Sequence, residues 1–302
     1  MPDVPALDVP ALDVPRSVRL AAWAGAVLRG RARVDDAVRA VTGGDEPHAV
    51  ETGDDDDDGG GGPHAADRPI PTGVADLTGV ADPTGVDDLT GLLSTWLRNG
   101  VTGLAVRLPV PGDVLGLPGP AEFNRAALDA GECVVTDAVP GGGGRGSGRV
   151  WGAVPRVEVF GSSWERGYLV TWTVRAVQAR TVADLAGVVE ADQALRLAMS
   201  EAAEELARLD VARWRPDAAA RLSGIRDGGL PRDALPSDVP ARCARVVATA
   251  VRLRAVLRLA REDDGAAVSG YEAQRRDETL RRLDGVARRA LVAAVNGIGE
   301  GG

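Results

Sequence analysis

The fold class is decided by residues 157–177, which read VEVFGSSWERGYLVTWTVRAV. Two runs rich in β-branched and aromatic residues flank a turn that contains Gly161 and Gly167, and this pattern predicts a β-hairpin. Side chains alternate along a strand, so four residues of the second run share one face: Tyr168, Val170, Trp172 and Val174. The hairpin therefore predicts a sheet near the middle of the chain.

Short helices and strands precede this hairpin. Apolar spacing and flanking glycines predict helices over residues 18–28, 35–41, 89–98 and 121–130, and strands over 104–110 and 133–136. We expect these elements to build an α+β domain over residues 89–180, with two helices before it in residues 16–43.

Beyond Arg180 the pattern becomes purely helical. Apolar residues step by three and four positions along residues 185–209, 239–260 and 280–298, as in long amphipathic helices. The predicted fold is therefore α+β, a small sheet with flanking helices, followed by an all-α helical bundle or hairpin over residues 181–298.

Three stretches of low complexity interrupt these elements. Residues 1–15 repeat a proline-containing pentapeptide and predict a disordered tail, and residues 139–149 read as a flexible glycine loop. Residues 44–88 form an acidic insert with a net charge of −12. Since the whole chain has a net charge of −9, the other residues sum to +3. The insert has no periodic apolar face, so we expect its deletion to leave folding intact.

The composition excludes several chemistries. The chain has no lysine, since all 35 basic residues are arginine, and this rules out a Schiff-base lysine or a P-loop. The two histidines, His48 and His64, lie in the acidic insert, where a disordered segment could not hold a catalytic base. With few histidines and cysteines, we expect no metal site, and the GxGxxG match of Gly141, Gly143 and Gly146 precedes no helix, so no cofactor is expected.

The location of the protein is expected to be cytoplasmic. Cys133 and Cys243 stand 110 positions apart and match no metal or redox spacing, as is usual for a chain that folds in a reducing compartment. No run approaches the ~20 apolar residues that span a bilayer, and no signal peptide is apparent. We therefore expect no membrane partner.

The most distinctive loop covers residues 107–124, where four prolines and three glycines in residues 107–120 fix an unusual path between a strand and a helix. Stiff loops at strand ends are common binding sites, and this one offers Arg107, Asp113, Glu122 and Asn124 as polar ligand-binding candidates. An enzyme or small-molecule sensor could use Arg107 to bind an anion. A rigid connector over the sheet is the alternative, and we favour it because rigidity alone names no chemistry.

The C-terminal helices are locally basic. Residues 238–296 hold twelve arginines and eight acids, which suggests nucleic-acid binding through phosphate contacts. The arginines, however, flank the apolar stripe on both sides and alternate with acids. Nucleic acid is therefore the less favoured partner.

Three segments resemble a set of conserved hypothetical proteins from high-GC actinobacteria: residues 104–132, residues 151–172 and the Arg213-Trp-Arg-Pro216 motif. The arginine-only, alanine- and valine-rich composition fits that source. The resemblance implies no activity and carries over no functional residue. The residues themselves favour a non-enzymatic intracellular binding or regulatory protein that acts through a protein partner or through self-association along its helical stripes.

Overall fold

The computed structural model describes residues 12–53, 85–114, 116–138, 149–162, 165–178, 186–208, 216–262 and 270–299. Within these ranges the first half contains α1 (Arg16–Leu28), α2 (Val34–Thr42), β1 (Ala49–Thr52), α3 (Leu89–Arg98), β2 (Leu104–Arg107), α4 (Ala121–Ala130), β3 (Cys133–Thr136), β4 (Val150–Gly161) and β5 (Arg166–Val177). The second half contains α5 (Val188–Arg208), α6 (Pro216–Asp227), α7 (Ala241–Glu262) and α8 (Gly270–Asn296). The predicted α+β class is confirmed.

The five strands form one sheet in the order β1-β5-β4-β3-β2. All neighbours are antiparallel except β1, which runs parallel to β5. The predicted hairpin is its longest pair, and its first strand begins earlier than expected, at Val150. At Gly152 this strand packs closely against α4, because a Cβ there would lie 2.4 Å from the ring of Phe123.

The main hydrophobic core lies on one face of the sheet. Val170, Trp172 and Val174 are buried in it, as their alternation predicts, together with residues of α1, α3 and the C-terminal helices. A smaller core on the opposite face packs Phe123 and Ala127 of α4 against the sheet. Helices from both halves of the chain thus share one core.

The last helix also completes the edge of the sheet at β2. The Asn296 side chain accepts a hydrogen bond from the Val106 N–H (2.8 Å) and donates one to the Val106 carbonyl (3.4 Å). It takes the place that a further strand would occupy, so the unpaired backbone of β2 is partly satisfied by α8.

Two low-complexity predictions are wrong at their boundaries. The disordered tail was expected to reach residue 15, but Leu12 and Val14 are buried in the main core. The acidic insert was expected to begin at residue 44, but β1 lies inside it and pairs with β5. In both places tertiary burial outweighs an unfavourable local composition. Most of the insert, most of the glycine loop, His64 and the turn between α7 and α8 lie outside the described residues.

Candidate anion-binding groove

Arg107 stabilises the proline-rich loop of residues 107–124 through hydrogen bonds to its backbone. Its Nε donates to the Gly116 carbonyl (3.1 Å) and its Nη1 to the Val106 carbonyl (2.9 Å), and only 9% of the residue is exposed. Gly116 has a φ of +84°, and a Cβ there would lie 2.5 Å from Arg107 Nε, so the close approach requires glycine. Burial lowers the pKa of the Arg107 guanidinium below its ordinary value. The structure therefore places Arg107 as a support of the loop.

Two other candidate residues lie at the far end of the same loop. Glu122, in the first turn of α4, faces Arg175 of β5 at 3.3 Å. Asn124 accepts a hydrogen bond from the Gly119 N–H (2.9 Å) and so fixes the entry into α4. Neither residue converges with Arg107 on a common space. Of the four candidates, only Asp113 lines the groove described below.

Asp113 ties the loop to α8. Its Oδ2 accepts from Arg288 Nη2 (2.6 Å) and from Arg289 Nη1 (3.1 Å), and Arg288 Nη1 also donates to the Leu108 carbonyl (2.6 Å). Partial burial acts to raise the pKa of Asp113, but the hydrogen bonds and charges of the two arginines outweigh it and hold the pKa below its ordinary value. These contacts anchor the loop to α8, and we call residues 108–113 the loop wall.

A groove opens between this wall and helices α7 and α8. It consists of two adjoining clefts of about 470 and 280 Å³ that share Arg261 and Asp284. Among the described residues, seven lining side chains are cationic and three are anionic, a net charge of +4. The cations are Arg254, Arg258, Arg261, Arg281, Arg282, Arg288 and Arg289, and we call this surface the arginine groove. The acids are Asp113, Glu262 and Asp284.

The carboxylates of the arginine groove are shared between cations. Asp284 lies 3.4 Å from Arg254 and 3.9 Å from Arg261, just as Asp113 serves Arg288 and Arg289. Glu262 is engaged by Arg221 at 2.7 Å. Arg258, Arg281 and Arg282 pair instead with Asp13, Asp277 and Glu205, which lie outside the lining of the groove. A guanidinium group carries five N–H donors, so each arginine keeps donors for a further anion beside its carboxylate partner. The packing of α7 against α8 thus gathers on one surface arginines that, in the sequence, only flank the apolar stripes of two separate helices.

A buried histidine cluster was missed at the sequence level. His48 Nε2 lies 3.2 Å from Asp45 Oδ2, and the Trp172 indole N–H donates to His48 Nδ1 at 3.1 Å. Since an indole nitrogen only donates, Nδ1 must accept, and the proton sits on Nε2 facing Asp45. Arg16 binds the same carboxylate through Nε and Nη2 at 2.7 and 2.8 Å. Partial burial acts to raise the pKa of Asp45, but the hydrogen bonds from His48 and Arg16 hold it below the ordinary value.

The expectation that His48 belongs to a disordered segment is therefore wrong. Its side chain is fully buried, and the cluster joins α1, the segment before β1 and β5. The only signal for this in the sequence is the short apolar stretch around Val50 within an acidic region, and that signal does not identify Trp172 as a partner 124 positions away. All polar atoms of the ring are used inside the cluster, which makes it a structural link.

The remaining features concern metals and membranes. The described residues contain no group of three histidine, cysteine or carboxylate side chains placed to hold a metal ion. None of the helices in the described ranges is both long and apolar enough to cross a bilayer.

The comparisons with known proteins give two family matches. Residues 17–185 match the family described as Rv1486c-like protein, N-terminal domain, and residues 189–292 match its C-terminal domain. The chain is 30% identical over 301 residues to "Uncharacterized protein Rv1486c" of Mycobacterium tuberculosis strain ATCC 25618 / H37Rv, covering 93% of this chain and 96% of the relative. "Uncharacterized protein MT1533" of strain CDC 1551 / Oshkosh matches to the same extent. No solved structure matches.

Proposed function

The chain belongs to the Rv1486c-like family, and from that premise we propose that it is a non-enzymatic binding protein whose arginine groove takes an acidic segment of a partner protein. The observation that carries the proposal is the convergence of seven arginines on one elongated surface, where each guanidinium group has more donors than its carboxylate partner uses. A chain with an overall charge of −9 concentrates positive charge on this surface. Such a field attracts acidic segments and orients them before contact.

The chemistry of the groove fits carboxylates well. Arginine presents a planar fork of donors that binds a carboxylate through two parallel hydrogen bonds, and it does so better than lysine. Arg288 adds a buried Nε that has no hydrogen-bond acceptor within the described residues. Because that atom is buried, a ligand in the groove contacts the exposed arginines instead.

The groove is elongated and one of its sides is rigid, so its shape favours an extended ligand. Two adjoining clefts follow α7 and α8, so the binding surface is elongated. Arg107 and Asp113 hold the loop wall in place before any ligand arrives, which lowers the entropy lost on binding. No aromatic side chain lines the groove among the described residues, whereas single-stranded nucleic acids usually stack on aromatic platforms. A protein segment is therefore preferred over nucleic acid.

The helical stripes are less suited to this role. Val246, Ala250 and Leu257 of α7 are buried, and so are Leu283 and Leu291 of α8. Because α7 and α8 pack on each other and on α5, their apolar faces are occupied within one chain. Binding through the stripes, as the sequence suggests, would require the helices to separate.

The site of action that we propose is the cytoplasm. The free thiols of Cys133 and Cys243 are both buried, which agrees with a chain that keeps its cysteines reduced. Burial raises the pKa of the Cys133 thiol to about 12, so this thiol stays protonated and unreactive at neutral pH.

The proposal is tested by fluorescence anisotropy with a labelled short polyglutamate peptide at low salt. Arg258→Glu and Arg281→Glu each reverse an exposed charge of the groove and should weaken binding about tenfold, which corresponds to ~1.4 kcal/mol. The matched control is Arg245→Glu, an exposed arginine of the same helix α7 that does not line the groove. It should leave affinity nearly unchanged.

The competing partners are separate arms of the same experiment. A labelled single-stranded DNA of equal charge that binds more tightly than the peptide, with the same dependence on Arg258 and Arg281, would replace the protein partner with nucleic acid. Inorganic phosphate that displaces the peptide at stoichiometric amounts would indicate a small-molecule sensor. The absence of peptide binding at low salt would refute the proposal.

A further inference from the structure

A further cavity adjoins the arginine groove, where the connection between α4 and β3 meets the start of α1, α7 and the loop wall. Its volume is about 220 Å³, which suits a ligand smaller than the drug-sized molecules that fill pockets of about 300–1,000 Å³. Among the described residues, the charged ones that line it are Asp13, Arg16, Glu132, Arg254 and Arg258. We call this space the Glu132 cavity.

The charge of Glu132 is poorly compensated by the protein. Its Oε2 accepts hydrogen bonds from the backbone N–H and the hydroxyl of Ser17, at 2.8 and 2.7 Å. Burial raises the pKa of Glu132 above its ordinary value, although the Ser17 hydrogen bonds and the charge of Arg16 act to lower it. Arg16 itself binds Asp45 through Nε and Nη2. Within the part of the chain that the structure describes, no cation is bonded directly to Glu132 and no hydrogen bond reaches its Oε1.

A second wall of the Glu132 cavity is one side of α7. Val251, Arg254 and Arg258 are spaced by three and four positions, so they lie on the same face of that helix. Arg258 lies 3.5 Å from Asp13, and both side chains are more than half exposed, which makes this a weak ion pair. Each guanidinium group has more donors than one carboxylate partner uses. This wall therefore offers donors to the carboxylate of a ligand.

The rest of the lining is mainly apolar. Leu108 and Val110 of the loop wall contribute to it together with Val251, and Leu108 and Val251 are each only 3% exposed. No aromatic side chain lines the cavity among the described residues. Such a surface suits an aliphatic chain, with the few polar groups of the cavity fixing its ends.

We propose that the Glu132 cavity binds a small ω-amino acid, with its ammonium group at Glu132 and its carboxylate at Arg254 and Arg258. The aliphatic chain of the ligand lies against Leu108 and Val251. The ammonium group compensates a carboxylate that is otherwise costly to bury. An ω-amino acid carries its two charges at opposite ends, as the cavity carries its own on two separate elements. A diamine fits less well, because the arginines repel its second positive charge.

Isothermal titration calorimetry on the full chain at low salt tests the proposal with three probes of equal carbon number. The first, 5-aminopentanoate, carries both charged groups. Pentylamine keeps only the ammonium group, and pentanoate keeps only the carboxylate. We expect 5-aminopentanoate to bind about tenfold more tightly than either of the others, because only it contacts both charged walls.

Two substitutions separate the two ends of the ligand. Glu132→Gln removes the charge but keeps an oxygen for Ser17, so it should weaken 5-aminopentanoate and pentylamine about tenfold each and leave pentanoate unchanged. Arg258→Gln should weaken 5-aminopentanoate and pentanoate but not pentylamine. Arg245→Gln is the matched control, since Arg245 is an exposed arginine of α7 that does not line the cavity.

A second pair of variants keeps the test independent of how Glu132→Gln folds. Ala130 is exposed at the end of α4 and lines the cavity, so Ala130→Phe should exclude 5-aminopentanoate by filling the space. Ala126→Phe, at an exposed position of the same helix outside the cavity, should leave binding unchanged. Thermal unfolding of Glu132→Gln should occur at the same or a higher temperature, because a carboxylate that is costly to bury is removed.

Four results would overturn the proposal. They are no binding of 5-aminopentanoate at millimolar concentration, pentanoate that binds as tightly, binding that survives both Glu132→Gln and Ala130→Phe, and L-leucine that binds more tightly than 5-aminopentanoate. Glu132 does not line the arginine groove, so Glu132→Gln should leave the affinity for polyglutamate unchanged. The failure of peptide binding and the failure of ω-amino acid binding are therefore separate results.

Discussion

Replacing Arg288 by methionine tests how the loop wall is anchored. The Arg288 side chain is 7% exposed and makes two hydrogen bonds of 2.6 Å, one to Asp113 and one to the Leu108 carbonyl. Methionine keeps most of the apolar stem but leaves the carbonyl without a donor. Asp113 retains only Arg289. Hydrogen bonds to charged groups are worth about 1.5–3 kcal/mol, and breaking a buried ion pair costs about 3–5 kcal/mol, so we expect a loss of about 3 kcal/mol.

Arg289→Met is the matched control for this change. Arg289 is the next residue of α8 and contacts the same Asp113 oxygen, but its side chain is 57% exposed. An exposed ion pair contributes about 0–1 kcal/mol, so the control should be nearly neutral. Urea unfolding followed by circular dichroism measures both, and the slope m should stay constant if only stability has changed. Equal losses for the two variants, or a loss below about 1 kcal/mol for Arg288→Met, would refute the assignment of Arg288 as a buried anchor.

Three further outcomes follow from contacts described above. Gly152→Ala should lower the melting temperature, because the new Cβ would lie 2.4 Å from the Phe123 ring. Adding Phe123→Leu to that variant should recover part of the loss. An unchanged melting temperature in Gly152→Ala would contradict the close packing. Long-range ¹⁵N–¹H NMR at neutral pH should show His48 protonated on Nε2. Trp172→Phe should remove the hydrogen bond from the indole N–H to His48 Nδ1. A ring protonated on Nδ1 would contradict the cluster. The pKa of Asp113 is lowered in the folded state, so its contribution to stability is fully present above the ordinary carboxyl pKa and is lost as the pH falls through the lower folded-state value. In Asp113→Asn the free energy of unfolding should therefore depend less on pH in the acid range.

The sequence was most informative where local periodicity and burial agree. Alternation in residues 168–174 identified the buried face of β5, and the three-four spacing identified α5, α7 and α8. Helix α6 was not located, and the start of β4 was missed because glycine and proline in residues 150–155 weaken a strand pattern. Leu12 and Val14 were assigned to a tail because proline dominates the local pattern, although both side chains pack into the main core.

The candidate site could be predicted only in part. The proline-rich loop was identified as unusual, and Asp113 does line the arginine groove. The inward direction of Arg107 could not be read from the sequence, since it depends on Gly116 folding back over its guanidinium group. The groove itself depends on the packing of α7 against α8, which brings Arg254 of α7 to 3.4 Å from Asp284 of α8. Spacing along one helix does not contain that information.

The hydrogen bonds from Asn296 to β2 have a consequence for synthesis of the chain. The ribosome makes α1 and β2 well before α8, so the apolar face of the sheet and the edge at Val106 stay uncovered until α8 has been made. A nascent sheet with a bare edge invites wrong pairing until the final helix arrives. Truncation shortly before Asn296 should therefore leave a chain that chaperones retain, whereas a stop codon after Ile298 should release one that folds. The first half of this protein is therefore protected only once α8 has been made and has packed on the sheet.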